Sequence, residues 1–416
     1  MKNTSTFTNL CPIITILHKI LRGMGKNSYL CHTMTATILS ILPAMVCGVL
    51  TALLALDLCR EFTRTRLYLL LFMLVAGLLY TAHGAYFNHQ TGAIPVTDTI
   101  YSFCNPAVFP LFYIYIEELT TGRHNRWRHL LYLLPSLLCM LAVGVLYNMM
   151  NTDETKVFIE QYLYAGDSSM LSGFAWWQAI THQAIKVIFA LQIPFVFFSG
   201  WRKITRFNRQ IVENYSSIEN KMLTTLKPLL LVFAIASVAS FMSNIIGRHN
   251  FTDYLWMLAI PSVSFSVLLL LIGHTGIHQN FTAKELREDI CEPENTPKRK
   301  EAETNPVVET IGEEIVRLVD IEQLYLQPNL KINDLAQRLN TNREYIYRAI
   351  NIGMGLSFAD FINSRRIDYA GHLLEDSPNI PLSEVVHKAG FSSPSAFYRN
   401  WKRFKGYPPK VWGEAK

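Results

Sequence analysis

His182 and Lys186 stand one helical turn apart in a run, 176–200, that holds no other charged residue. Each can exchange a proton or meet an anion, and polar groups at membrane depth are costly enough to count as functional candidates. His83, Asn105 and Asn244 sit in other apolar runs, and His83, His182 and Lys186 form the candidate signal-sensing set. The plain alternatives stay open: Lys186 snorkels toward the outer surface, and the His and Asn side chains hydrogen-bond between helices. No HExxH, GxSxG or paired-carboxylate arrangement occurs in these runs, and Glu117 and Glu118 end one of them where solvated carboxylates are cheap. The seven cysteines form no CxxC pair, so thiols acting as small apolar residues are expected rather than a metal knuckle or disulfide framework. No catalytic residue, metal or cofactor is expected.

Elements able to hold such residues at membrane depth are written in the composition. Half of the 416 residues are hydrophobic and 17% are charged, against about 25% in soluble proteins. Residues 1–273 carry 31 charges, about 11%, and residues 274–416 carry 39, about 27%. The net charge of +6 divides likewise into +7 and −1. A single soluble domain, a disordered chain and a small disulfide scaffold are excluded. Seven segments, 33–56, 67–87, 99–116, 130–150, 176–200, 228–247 and 255–273, are long and apolar enough to span a bilayer. Trp176 and Trp177 are placed as interfacial anchors. Loops on one side hold twelve Lys/Arg (Arg60, Arg64, Arg66, Arg123, Arg126, Arg128, Arg202, Lys203, Arg206, Arg209, Lys221, Lys227) and the opposite loops only Lys156 and Arg248. This bias puts the N-terminus outside and everything after residue 273 in the cytoplasm. The tail 1–32 resists that assignment with Lys2, Lys19, Arg22 and Lys26. It reads as an interfacial helix, a signal-like leader, or residues upstream of a true start at Met24 or Met34.

Residues 274–309 read as a cytoplasmic linker. Within it, 281–290 extends the seventh helix for a few turns, and 291–309, with Pro293, Pro297 and Pro306, is a tether. From 310 to 416 the pattern changes to short amphipathic helices. Ile311, Ile315, Leu318, Val319 and Leu324 give an opening helix its apolar face. A helix over 332–339 with Asn333 as its cap, a turn at Asn340-Thr341-Asn342 and a helix over 343–352 make a helix-turn-helix signature. The plan recurs at 382–389, Gly390-Phe391-Ser392-Ser393 and 394–405. Between the units, 358–376 carries a single apolar stripe, giving a rod of about 28 Å. Such a rod suits two recognition helices about one DNA turn, 34 Å, apart.

The stretches LYLQPNLKINDLAQRLNTNREYIYRAIN, SFADFINSRRIDYAGHLL and PLSEVVHKAGFSSPSAFYRNWKRFKGYPPKVW carry a family resemblance. Over residues 324–412 the chain resembles the DNA-binding domain of AraC/XylS transcription regulators, and with seven spans and a tether it is similar to membrane-embedded members. The resemblance implies base reading by Arg343, Glu344, Tyr347 and Arg348 on the first recognition helix and by Ser395, Tyr398 and Arg399 on the second. It implies phosphate contact by Lys402, Arg403, Lys405 and Lys410, whose alternative is a solvated face. Arg365 and Arg366 fit backbone contact or structural ion pairs equally. Val386 stands where the family usually has Ala, which predicts a slightly splayed second unit.

The expected protein is therefore all-α: a seven-helix transmembrane bundle followed by a double helix-turn-helix domain, in the inner membrane of a bacterium. Its expected partners are double-stranded DNA, the lipid bilayer, an unknown signal and a second copy in a homodimer. The alternative is a transporter or enzyme with a regulatory cytoplasmic domain.

Overall fold

A computed structural model describes residues 28–122, 125–246, 255–279, 281–290, 305–377 and 379–409. These residues form helices and turns, with one isolated antiparallel bridge between Tyr215 and Lys331 and no strand among the described residues. The helices are α1 (Ser28–Arg60), α2 (Arg64–Phe87), α3 (Ile94–Thr121), α4 (Arg126–Met149), α5 (Thr152–Val157), α6 (Gly173–Asn214), α7 (Leu226–Ile246) and α8 (Leu255–Ile277). They continue with α9 (Ala283–Ile290), α10 (Asn305–Ile321), α11 (Ile332–Arg338), α12 (Arg343–Tyr347), α13 (Phe358–Asp376), α14 (Leu382–Lys388) and α15 (Pro394–Lys405). The chain divides into two compact units. One is built from Met1–Tyr115, Asn125–Phe198 and Leu229–Ile277, the other from Ile116–His124, Ser199–Pro228 and His278–Lys416.

The first unit is assembled from seven helices long and apolar enough to cross a membrane. In hydrocarbon a backbone must satisfy its own polar groups, which long helices do. Its outer surface is apolar: Leu138, Leu141, Leu191, Phe198 and Ile235 are all exposed, as are Trp176 and Trp177. The third helix is the hub. Of its apolar window 78% is buried, against 17–39% in the other six. Phe112 of α3 meets Phe72 of α2 at 5.2 Å and Phe233 of α7 at 4.9 Å between ring centroids. Gly273 of α8 lies where a Cβ would come within 2.8 Å of Leu50, which allows α1 and α8 a close approach.

The second unit has two small cores. Ile315, Val319, Leu335, Ala336, Ile346, Ile350, Phe358 and Phe361 build one, and Ile367, Ala370, Val385, Phe391, Phe397 and Trp401 the other. The rod α13 contributes to both, and Ser357 caps it by accepting from the Asp360 amide at 3.0 Å.

Several expectations are corrected. The fifth long helix runs on to Asn214, fourteen residues past the span expected to end at 200. Residues 281–290 do not extend the seventh helix: α8 stops at Ile277 and α9 starts afresh, with the Thr282 amide donating to Glu285 at 2.9 Å. Asn333 does not cap α11. Asp334 accepts from the Lys331 amide at 2.7 Å, and Asn333 Nδ2 instead donates to the Asp289 carbonyl. Glu117 and Glu118 are buried rather than solvated, and Glu117 holds Lys203 at 2.9 Å. The expected tail and tether are shortened, since 28–32 open α1 and 305–309 open α10, and their remaining residues, 1–27 and 291–304, lie outside the described residues.

Candidate nucleic-acid interface

The two short-helix pairs follow one plan with different turns. In the first, Asn340 takes a left-handed conformation at φ 48° and Asn342 caps α12 by accepting from the Glu344 amide at 2.8 Å. Ala336 is buried at the crossing. Past Tyr347 the helix widens into a π turn over Arg348–Gly353. In the second, Gly390 takes φ 76°, and a Cβ there would lie 2.7 Å from the carbonyl carbon of Leu326. Ser393 accepts from the Ala396 amide at 3.2 Å and Pro394 occupies the first turn of α15. Val386 is buried in the second core.

The buried stripe of α15 is Ala396, Phe397, Asn400 and Trp401, so Ser395, Tyr398 and Arg399 share the exposed face. On α12, Ile346 faces inward, Glu344 is exposed, and Arg343, Tyr347 and Arg348 are half-buried. Arg348 Nε donates to Glu344 at 3.0 Å one turn back. The basic run is partly engaged by the rod. Arg403 pairs with Asp360 at 2.6 Å and Lys405 with Asp368 at 2.8 Å, tying α15 to α13, while Lys402 is exposed. Lys410 lies outside the described residues.

Residues 335–415 match the family model described as a helix-turn-helix domain. Over 81 residues, 20% of the chain, it is 32% identical to the Msm operon regulatory protein of Streptococcus mutans. Over 96 residues, 23% of the chain, it is 23% identical to the lactose operon transcription activator of Staphylococcus xylosus. The C-terminal segment is a helix-turn-helix domain of the AraC type. The matched stretches span only 29% and 34% of those two regulators. No solved structure matches the chain.

Within the helix-turn-helix domain the two rod arginines part company. Arg365 is surface structure, bonded to Asp320 at 2.6 Å and stacked 4.0 Å from the Phe361 ring centroid. Arg366 is buried and donates to the carbonyls of Tyr325 and Gln327 and to Asn363 Oδ1. Burial pushes its guanidinium down to about 10. It is an internal strut, and backbone contact with nucleic acid is excluded for it. Glu219, which accepts from Arg399 Nη2 at 2.5 Å, was not legible as part of this interface, because 180 residues separate the pair.

In the first unit the polar candidates converge. His83, Asn105 and Asn244 line a cavity of about 470 Å³ that is otherwise largely apolar. Asn105 and Asn244 also line a small recess of about 20 Å³ with His182 and Lys186. Lys186 Nζ donates to the Asn244 carbonyl at 3.1 Å, so it reaches a neighbouring helix rather than the outer surface. His182 meets a residue the sequence reading missed. Its Nε2 lies 2.9 Å from Asp98, its Nδ1 2.9 Å from the Gln178 carbonyl, and the Tyr147 hydroxyl donates to the same Asp98 oxygen at 2.9 Å. The carbonyl requires a proton on Nδ1, so the His182–Asp98 contact is either imidazolium–carboxylate or imidazole–carboxylic acid, net neutral in both forms. Asp98 stands one position before the 99–116 segment. Extending that segment by one turn would have exposed it.

Proposed function

We propose that the chain is a membrane-embedded, one-component sensor and sequence-specific DNA-binding transcription regulator. Its bundle perceives a signal at the His83, His182 and Lys186 cluster, and its helix-turn-helix domain works in the cytoplasm. The observation that carries the reading is the exposed Ser395, Tyr398 and Arg399 face on a capped, regular helix of a domain matched to those of operon regulators. Arginine pairs bidentately with guanine, and tyrosine contacts phosphate or the thymine methyl. The twelve-to-two Lys/Arg bias supports a cytoplasmic domain and an external N-terminus. The helix that carries His182 continues to Asn214, which supports the bundle as the source of the signal. Homodimers on paired half-sites would raise affinity through effective concentration. Operon regulators as relatives, rather than enzymes, support a non-enzymatic role.

Selection of bound duplexes by the full chain tests this reading. One enriched motif is expected, with Arg399→Ala and Arg348→Ala each costing about 1–3 kcal/mol on the selected site. Lys402→Ala is expected to weaken all sequences alike and reduce the salt slope by about one. No enriched motif, or arginine variants that bind like the native chain, would overturn it.

A further inference from the structure

Residues 215–225 connect α6 to α7, and the helix-turn-helix domain holds their beginning in one register. The Ser216 amide donates to the Leu330 carbonyl at 3.1 Å and its hydroxyl to the same oxygen at 2.8 Å. Asn363 Nδ2 donates to the Ser216 carbonyl at 3.0 Å, and the buried Arg366 donates to Ser216 Oγ at 3.2 Å. Tyr215 bridges to Lys331, and its hydroxyl and Lys331 Nζ meet the two oxygens of Asp289 at 2.6 and 2.7 Å. Burial pushes the Asp289 carboxyl up, but those two donors overcome it and leave it below its ordinary value.

Beyond this anchor the segment lies along the second recognition helix. Ser217 Oγ is 2.8 Å from Ser392 Oγ in the turn before α15. Glu219 is preset by bonds from the Ser217 hydroxyl and the Ile218 amide, at 3.2 and 3.1 Å, and receives Arg399. The Glu219 side chain is 14% exposed and that of Arg399 57%, so the acid is the fixed partner and the arginine comes to it.

We propose that residues 215–219 are an intramolecular latch that takes the base-reading edge of the helix-turn-helix domain, so that latch and duplex DNA exclude one another at Arg399. While Arg399 Nη2 is held by Glu219 the guanidinium cannot turn its paired N–H groups to guanine, and the carboxylate repels nearby phosphates. The anchor at Ser216 supplies register, while Arg399, the exposed member of the pair, can swing away from Glu219 into solvent. The inference rests on the reading of Arg399 as a DNA contact.

Full-length chain in nanodiscs, carrying Ser217→Cys and Ser392→Cys, tests the latch against a labelled duplex library with a randomised centre. Each single-cysteine variant controls for bridging to native thiols. The double variant is expected to cross-link on oxidation without DNA, to retain about tenfold less duplex when cross-linked, and to recover fully on reduction, which also shows that it is folded. Glu219→Gln in the native background is expected to raise retention about threefold. Failure to cross-link, or equal retention in oxidised, reduced and Glu219→Gln chains, overturns the latch alone. No retention in any of these chains overturns the DNA reading beneath it.

Discussion

The two recognition helices share a plan and differ in what sustains them. The first is short, five α-helical residues leading into a π turn, and its Arg348 is held by Glu344 of the same helix. The second is a regular twelve-residue helix, and its Arg399 is held by Glu219, 180 residues away. Their turns differ in the same sense. At Asn340 the chain needs only a left-handed backbone, which asparagine accepts. At Gly390 it needs that backbone and the absence of a Cβ, because the Leu326 backbone, from the first half of the domain, fills the space. The first helix-turn-helix pair is locally specified, whereas the second depends on distant chain for its turn and for the partner of Arg399.

The largest break in this comparison should come from Gly390→Ala. Left-handed strain of about 1–2 kcal/mol adds to overpacking of about 1–3 kcal/mol, since backbone cannot move aside as a side-chain tip can. Hydrogen exchange at the α15 amides of the full chain should report a loss of about 3 kcal/mol of protection. Asn340→Ala, measured at α12, should cost about 1 kcal/mol, and Asn340→Gly should be neutral within a few tenths. Equal losses at the two alanine variants would show that the Leu326 contact does not distinguish the turns.

That asymmetry also decides how much was legible in sequence. The rod over 358–376 and the helix over 394–405 appear with the bounds expected of them, because a stripe of apolar residues and a turn at Gly390-Phe391-Ser392-Ser393 are local signals. The seven long apolar helices were legible from run length and lack of charge. What escaped was set by distant partners. Glu117 looks like a solvated carboxylate until Lys203 is brought to it, and Arg366 looks like a surface cation until the Tyr325 and Gln327 carbonyls surround it. Asn333 at the start of α11 looks like a cap, but Asp334 reaches back to the Lys331 amide while Asn333 is drawn to Asp289. On α15 the exposed face followed from periodicity, while the engagement of Arg399 by Glu219 did not.

The smallest effect expected is that of Glu344→Gln, and it sharpens the comparison from the first unit. Removing the i, i+4 pair with Arg348 should lower protection of the α12 amides by only about 0.3–0.5 kcal/mol. Its value lies in how duplex binding responds. If Glu344 merely restrains Arg348, freeing the arginine should raise affinity modestly for every sequence, with a gain that fades at high salt. If Glu344 itself accepts from cytosine N4, preference at one base position should relax while affinity for other sequences stays level. The proposed base-reading role predicts the second pattern. A uniform, salt-sensitive gain would instead give Glu344 the part in the first unit that Glu219 has in the second, a carboxylate that occupies the arginine, differing only in being supplied from within its own helix.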